Sequence, residues 1–399
     1  MTQDQNPDIP SLDSVFNLNE FEVIASKTLP KAVYAYYSSS ADDEVSYRQN
    51  HHSFHGIFFK PKILVDVTDI DLSSKMLGEI FQAPFYISAT ALCGLGNPIG
   101  GEVDIVKACG RTDFMVPQMI STFSSNSLDE ITAAKVNEKQ TQWFQLYVNG
   151  DREITHDLIK KAEDLGLKAL FITVDAPQAG NRERDLRFKF SSANKKGPNI
   201  MKGSQTANGT SGALSKLIDT ALTWKDIENF RTLTSLPIIL KGVQRIEDVI
   251  KAAEIGCKGV VLSNHGGRQL DFSVPPIEVL ADCVPVLKSR GLDENFDILI
   301  DGGIRRGTDI LKALCLGASG VGIASPFLYA NSVYGQAGVE KAVDIIFNEL
   351  KLSMRLLGVT NISELTPDLL DLKGLHDRFA PSKYPFHFHD TSFEANAIV

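Results

Sequence analysis

The chain has 399 residues, 43% of them hydrophobic and 22% charged, with a formal net charge of -9. This is the composition of an ordinary globular protein able to bury a large core, so disorder is not the default expectation. The negative balance argues against nucleic acid as a partner, because phosphate binding needs clustered Lys and Arg, so an anionic substrate must meet a local cationic pocket.

Residues 1–16, MTQDQNPDIPSLDSVF, are polar and Pro-punctuated, which predicts a flexible lead without a signal core or an Arg-rich presequence. No apolar run approaches the ~20 residues that span a bilayer, and the terminal NAIV is no peroxisomal address. The expected location is therefore the cytoplasm, with the mitochondrial intermembrane space as the alternative, and no membrane partner. From Phe21 to Tyr37 the spacing of Phe21, Ile24, Ala25, Leu29, Val33, Tyr36 and Tyr37 predicts short helices that pack on another body. Residues 1–83 are read as lead and helical extension, 84–372 as one barrel domain and 373–399 as a tail.

From Pro84 onward short apolar runs recur, each followed by turn residues and a segment of helical period. There are eight: PFYISA (84–89), FMVP (114–117), WFQLYV (143–148), ALFITV (169–174), PIILK (237–241), GVVLS (259–263), ILID (298–301) and GVGIA (320–324). Runs apolar on both faces and separated by helices are parallel strands covered on both sides, and eight such units predict an α/β fold, the (β/α)8 TIM barrel. Helices are expected at VDIVKACGRT, DREITHDLIKKAEDLG, RIEDVIKAAEIG and RGTDILKALCLG, the last three ending in the Gly that stops a helix in a left-handed conformation. The five cysteines are scattered, without CxxC or metal-ligand spacing, so they read as reduced core residues and no metal is expected. More than sixty residues separate strands 4 and 5, including SSANKKGPNIMKGSQTANGTSG. Because this connection leaves the C-terminal end of a barrel strand, it is read as a lid.

Barrels place their chemistry just after the strands, and polar residues fall there: Gln145 and Tyr147, Thr173 and Asp175, Lys241, Ser263 to His265, and Asp301. In SNHGGRQLD, His265 and Arg268 flank two glycines, so a tight turn can aim both side chains inward. An imidazole takes a proton near neutral pH and a guanidinium grips a carboxylate with two bonds, a pair suited to an acid substrate that must lose a proton. In VDAPQAGNRERD, Asp175 could stabilise a protonated imidazole and Arg182 could add positive charge, while Glu183, Arg184 and Asp185 read as a solvated charge run. DGGIRRG and GVGIASP put Gly-rich backbone after strands 7 and 8, where barrels bind a phosphate, with Arg305 able to pair with it. No GxGxxG opens the chain, which disfavours a nicotinamide dinucleotide and favours a smaller phosphate-bearing cofactor.

The motifs SATALCGLGNP, VPQMIST, FQLYV, TVDAP, LKGVQ, SNHGGRQLDF, DGGIRRGTDILKALCLGA and MRLLGV resemble the FMN-dependent L-2-hydroxy acid dehydrogenase/oxidase family. The resemblance runs from about Phe21 to about Leu372 and is stronger to the flavin domain of flavocytochrome L-lactate dehydrogenases than to glycolate oxidases. It implies FMN as cofactor, a small L-2-hydroxy acid such as L-lactate as substrate, cytochrome c or oxygen as acceptor, and a homotetramer. It also implies roles: His265 as base, Asp175 stabilising the imidazolium, Tyr147 facing the substrate hydroxyl, Arg268 and Tyr36 binding the carboxylate, and Arg182 as a second, mobile arginine. Lys241 would sit beside the flavin pyrimidine ring. Ser88, Ala89, Thr90, Ala91, Ser121, Gln145 and Thr173 match flavin-contacting positions, and Asp301, Gly302, Gly303, Ile304 and Arg305 the ribityl and phosphate site.

There are departures from the family. Ala324 and Ser325 replace a Gly-Arg pair, and losing one charge-assisted contact of roughly 1.5 to 3 kcal/mol is expected to weaken FMN binding tenfold or more. Phe123, with Ala91 nearby, stands where the lactate enzyme has a smaller aliphatic residue. The chain begins where the hinge after a haem domain would lie. The alternative reading is a flavin-binding paralogue with weakened or lost turnover; isoprenoid isomerisation is disfavoured because its substrate offers no carboxylate to Arg268.

Overall fold

Eight short parallel strands close on themselves in the computed structural model, which describes residues 9–378 apart from 112, 114, 189, 192–204 and 207–208. They are β1 (Phe85–Ile87), β2 (Gln118–Ser121), β3 (Gln142–Leu146), β4 (Leu170–Thr173), β5 (Ile238–Val243), β6 (Gly259–Leu262), β7 (Asp297–Asp301) and β8 (Gly320–Ile323). The ring closes where Val321, Gly322 and Ile323 pair with Phe85, Tyr86 and Ile87. This is the (β/α)8 barrel expected from the sequence.

Seven of the eight runs coincide with strands, and the second is corrected. The strand is not FMVP but the QMIS that follows it. Proline has no N–H to give to a ladder, so pairing begins around Pro117, whose carbonyl accepts from Ile87 N (2.9 Å) while Gln118 N donates to Thr141 O (3.3 Å). The strand looks polar in sequence because it carries buried Gln118, whose side-chain oxygen accepts from Gln142 Nε2 of the next strand at 3.2 Å.

Three helices precede the barrel: α1 (Leu18–Thr28), α2 (Lys31–Ser38) and α3 (Val45–His55). Helices then follow the strands: α4 (Glu102–Cys109), α5 (Leu128–Ala133), α6 (Arg152–Asp164), α7 (Trp224–Leu233), α8 (Ile246–Glu254), α9 (Pro276–Arg290), α10 (Gly307–Cys315) and α11 (Ser325–Leu357), the last interrupted at Gly335. The barrel interior is filled by Tyr86, Met119, Trp143, Phe171, Ile239, Val261 and Leu299, and Met76 from the hairpin Ser74–Met76 and Glu79–Phe81 packs against them. A second, larger apolar layer lies between strands and helices. All five cysteines are buried and free. No helix of the described residues is long and apolar enough to cross a membrane.

The connection between β4 and β5 is described only in part, and the centre of the expected lid lies outside the described residues. On either side of it stand the short helices Glu183–Leu186 and Gly209–Ser215. Two charges there were misread as solvated. Asp185 is 1% exposed and accepts from Thr210 N (3.1 Å) and Ser211 N (2.8 Å), while Arg184 bonds Ser38 O and Glu44 Oε1, both at 2.8 Å. The tail is also packed as far as Arg378, with Leu375 buried and the Arg378 guanidinium 2.7 Å from buried Glu278.

Candidate active site

The C-terminal ends of the strands open into a cavity of about 550 Å³. The candidate site residues named from the sequence line it except Asp175, which stands directly behind His265, and Ser263 and Asn264, which are buried beneath the turn that carries His265. The strand-end pattern reflects geometry: Ser121, Gln145, Thr173, Lys241 and Asp301 lie at or near the C-terminal ends of their strands, the face at which barrels build their sites.

His265 is the centre of the arrangement. It lies in the turn His265–Gly267, itself in the left-handed region at φ 58°, a conformation that costs energy in a non-glycine residue and is found where function requires it. The Asn264 side chain caps this turn by accepting from Gly267 N at 3.1 Å. The ring is held at both nitrogens, with Nδ1 3.0 Å from Asp175 Oδ1 and Nε2 3.2 Å from the Tyr147 hydroxyl. Asp175 is 1% exposed at its side chain and is wedged against Gly242, where a Cβ would lie 2.3 Å from the carboxyl carbon. Gly242 therefore has to be glycine on steric grounds as well as for its φ of 104°. A carboxylate at Nδ1 fixes the tautomer with its free lone pair at Nε2, facing the cavity.

Around the imidazole stand cations and phenols. Arg268 donates to Tyr37 O (2.8 Å) and Ser325 Oγ (3.3 Å). Arg182 lies 5.1 Å from the Tyr36 ring centroid and donates to Ser39 Oγ (3.2 Å) and to Tyr36 O. Burial, and then the Arg268 charge, push the Arg182 guanidinium below its ordinary value. Burial raises the Tyr36 and Tyr147 phenols far above theirs, so both remain proton donors. Phe123 stacks face to face on Tyr147, with centroids 5.0 Å apart.

On another wall Lys241 Nζ pairs with Asp301 Oδ2 at 2.9 Å, side chains 8% and 9% exposed. Burial alone would lower this lysine, but Asp301 and Asp175 outweigh it and its pKa is raised, so it stays charged. Gln145 Nε2 donates to Thr173 Oγ1 at 2.8 Å, and Ser88 and Ser121 complete a polar lining.

A family model described as FMN-dependent dehydrogenase matches residues 25–372. The chain belongs to that family. It is 60% identical over 372 residues to an L-lactate dehydrogenase (cytochrome) of Saccharomyces cerevisiae, covering 93% of this chain and 63% of that protein. It is 38% identical over 359 residues to a peroxisomal (S)-2-hydroxyacid oxidase of Arabidopsis thaliana, covering 89% of this chain and 96% of that one. The flavin-binding domain of baker's yeast flavocytochrome b2 superposes with a TM-score of 0.85 at 58% identity, covering 93% of this chain and 90% of that domain. The chain thus spans less than two thirds of the length of the yeast lactate dehydrogenase.

The cavity of this family member fits FMN. Amide, hydroxyl and ammonium groups from Gln145, Thr173, Ser121 and Lys241 suit the polar edge of a flavin ring. At the other end Gly302 and Gly303 both have positive φ, 99° and 84°. A Cβ at Gly303 would lie 2.3 Å from Asn50 O, so bare backbone is needed beside α3, leaving amides free for a phosphate. Arg305, its side chain 12% exposed, supplies charge there. Burial lowers its pKa, but Tyr47, at 3.4 Å, and Glu22, at 3.7 Å, reverse this and raise it overall. Ala324 and Ser325 line the same end, at the start of α11.

Sequence reasoning missed α3 and with it Tyr47, Asn50 and His51. Asn50 and Asn264 exchange two amide bonds of 2.7 Å, and His51 Nδ1 lies 2.8 Å from Gly303 O. A histidine stripe without apolar periodicity carries no local signal for such a role.

Proposed function

We propose that this chain oxidises a small L-2-hydroxy acid, L-lactate first, to the 2-keto acid. The observation that carries this reading is the imidazole held between buried Asp175 and Tyr147 in a cavity that also presents Arg268. Arg268 grips the substrate carboxylate in a bidentate pair, assisted by the Tyr36 hydroxyl and by the field of Arg182. Tyr147 donates to the substrate oxygen and Phe123 covers the substrate side chain. His265 Nε2 takes the substrate proton, and Asp175 stabilises the imidazolium that results. FMN, when bound, supplies the acceptor for the two electrons, and Lys241 lies where its positive charge offsets the negative charge that follows. Asp301 to Arg305 would meet the ribityl chain and phosphate, the phosphate itself being held by the backbone of Gly302 and Gly303, by Arg305 and by Ser325.

The reading without turnover finds no support, since base, carboxylate orienter and guanidinium are all present around one cavity. An anaerobic sample loaded with FMN should be bleached by L-lactate or another L-2-hydroxy acid, and a loaded sample left yellow by a panel of such acids would remove the proposal. Reoxidation of the bleached sample by cytochrome c and by oxygen, compared in rate, assigns the acceptor. The tetramer belongs to the same proposal, and light scattering of the loaded protein tests it.

A further inference from the structure

The two loops that form the side-chain end of the cavity are joined to each other through one buried carboxylate. Ala91 and Phe123 line the cavity from the loops after β1 and β2. Those loops meet directly where Leu92 N donates to Phe123 O at 3.0 Å and through a bond from Gly94 to Ser125. A further connection runs through Glu102, the first residue of α4 and 3% exposed. Its Oε1 accepts from Cys93 N (3.0 Å) in one loop and from Ser125 N (2.9 Å) in the other, and its Oε2 accepts from Asn126 N (3.1 Å). The Glu102 N–H in turn donates to Asn126 Oδ1 at 3.1 Å, and Gly94 N donates to Ser125 Oγ at 2.9 Å. The outer side of the first loop is braced separately by the Tyr37 hydroxyl, which donates to Leu92 O (2.7 Å) and accepts from Gly96 N (3.0 Å).

We propose that Glu102 is a positioning residue that sets the gap between Ala91 and Phe123, and so the length of substrate side chain the cavity admits. It touches no substrate and acts through two backbones; the inference rests on the 2-hydroxy acid reading. Three amide donors converging on one carboxylate form a tie that no neutral side chain can reproduce. In Glu102→Gln the amide nitrogen must face a backbone N–H, so with the oxygen kept where it meets Cys93 N and Ser125 N the loop after β2 loses its Asn126 bond and is loosened, while side-chain volume is conserved. Phe123, stacked on Tyr147, can then swing outward and lengthen the pocket.

The test compares the FMN-loaded wild type with Glu102→Gln on L-lactate and on a long-chain acid such as L-2-hydroxyoctanoate. Apolar pockets discriminate by about tenfold or more per methylene, so releasing one wall should raise the ratio of kcat/KM for the long acid over that for lactate about tenfold. The change should lie in KM, with kcat on lactate little altered. General loss of stability would not move that ratio. Glu102→Asp keeps the charge but is one methylene too short to hold Cys93 N, Ser125 N and Asn126 N together, and should shift the ratio the same way by about threefold; it decides the matter if the first variant does not fold. Ratios within twofold of wild type in the folded variants overturn the role of Glu102 while leaving the oxidation of 2-hydroxy acids standing. A loaded wild type that oxidises no L-2-hydroxy acid removes both.

Discussion

Asp175→Asn isolates the electrostatic part of the proposed chemistry. The carboxylate is 1% exposed, lies 3.0 Å from His265 Nδ1, and is wedged against Gly242, so an isosteric amide keeps the packing and removes only the charge. Two unit charges at that separation and an effective dielectric near 20 interact by about 5 kcal/mol, an upper figure because it ignores what the ion pair loses in solvation. A hydrogen bond to a charged group contributes about 1.5 to 3 kcal/mol net, which corresponds to a ten- to 150-fold effect on a step that develops the imidazolium. Flavin reduction by saturating L-lactate, followed anaerobically by stopped-flow absorbance, should therefore slow by about a hundredfold. Apparent substrate affinity should change little, since the proposed binding mode has Arg268 and Tyr36 hold the carboxylate, and FMN should stay bound because Asp175 does not line the cavity. A variant reducing its flavin within threefold of the wild-type rate would show that Asp175 does not stabilise charge on His265, and the assignment of the base would fall with it.

Other expectations follow from the same geometry. His265→Gln should retain FMN, judged by its absorbance after gel filtration, and lose reduction by lactate; a residual rate above about a tenth of wild type refutes the base. Ser325→Arg should tighten FMN about tenfold or more, read from the flavin fluorescence recovered on dilution, by adding a guanidinium at the start of α11; an unchanged or weaker affinity refutes the account of the phosphate end. Alkali should unfold the protein. Burial raises the Tyr37, Tyr86 and Tyr329 phenols well above 10 and Tyr34 to about 12, and the carboxylates raise Lys241. Folded values above unfolded ones mean stability fully present below about pH 10 for these groups and lost as pH rises, by about 1.4 kcal/mol per pH unit for each proton released on unfolding. Burial raises the thiols of Cys93, Cys109, Cys257, Cys283 and Cys315 as well, so thermal melting should be steady up to about pH 8, begin to fall near about 9 and fall steeply beyond about 10, and equal melting temperatures at about pH 8 and 11 would contradict it.

The barrel was legible because its signals are local. Runs apolar on both faces, and glycines that end helices, are dictated by what each segment touches; Gly166, Gly256 and Gly317 do stop α6, α8 and α10 with φ of 73°, 82° and 101°. What escaped was set by tertiary contacts. The buried residues of α3 are Ser46, Gln49, Asn50, Ser53 and Phe54, almost all polar, so no hydrophobic period marks it. It is held instead by Asp271, which accepts from Ser46 N at 2.7 Å and Val45 N at 3.2 Å, and by the Asn50 and Asn264 amides. Both partners lie in SNHGGRQLD, more than two hundred residues later.

That same segment shows why the site was easier to read than its supports. His265 and Arg268 carry chemistry that few other side chains can supply, so their identity is informative even without coordinates. Asn264, Gly267 and Asp271 between and around them serve the architecture: one caps the turn, one lets α3 approach closely, and one caps α3. Glu102 and Asp185 belong to the same class. Each is a carboxylate collecting backbone N–H groups from a distant loop, and each looks in sequence like a surface charge. Burying a carboxylate without such partners costs several kcal/mol, so its burial implies that the loops it collects are held in place. The loops fixed in this way carry Ala91, Phe123 and, beside Ser211, Leu214. The proposed role of Glu102 in substrate selection rests on this arrangement, a buried carboxylate remote from the reacting atoms that fixes the loops lining the cavity.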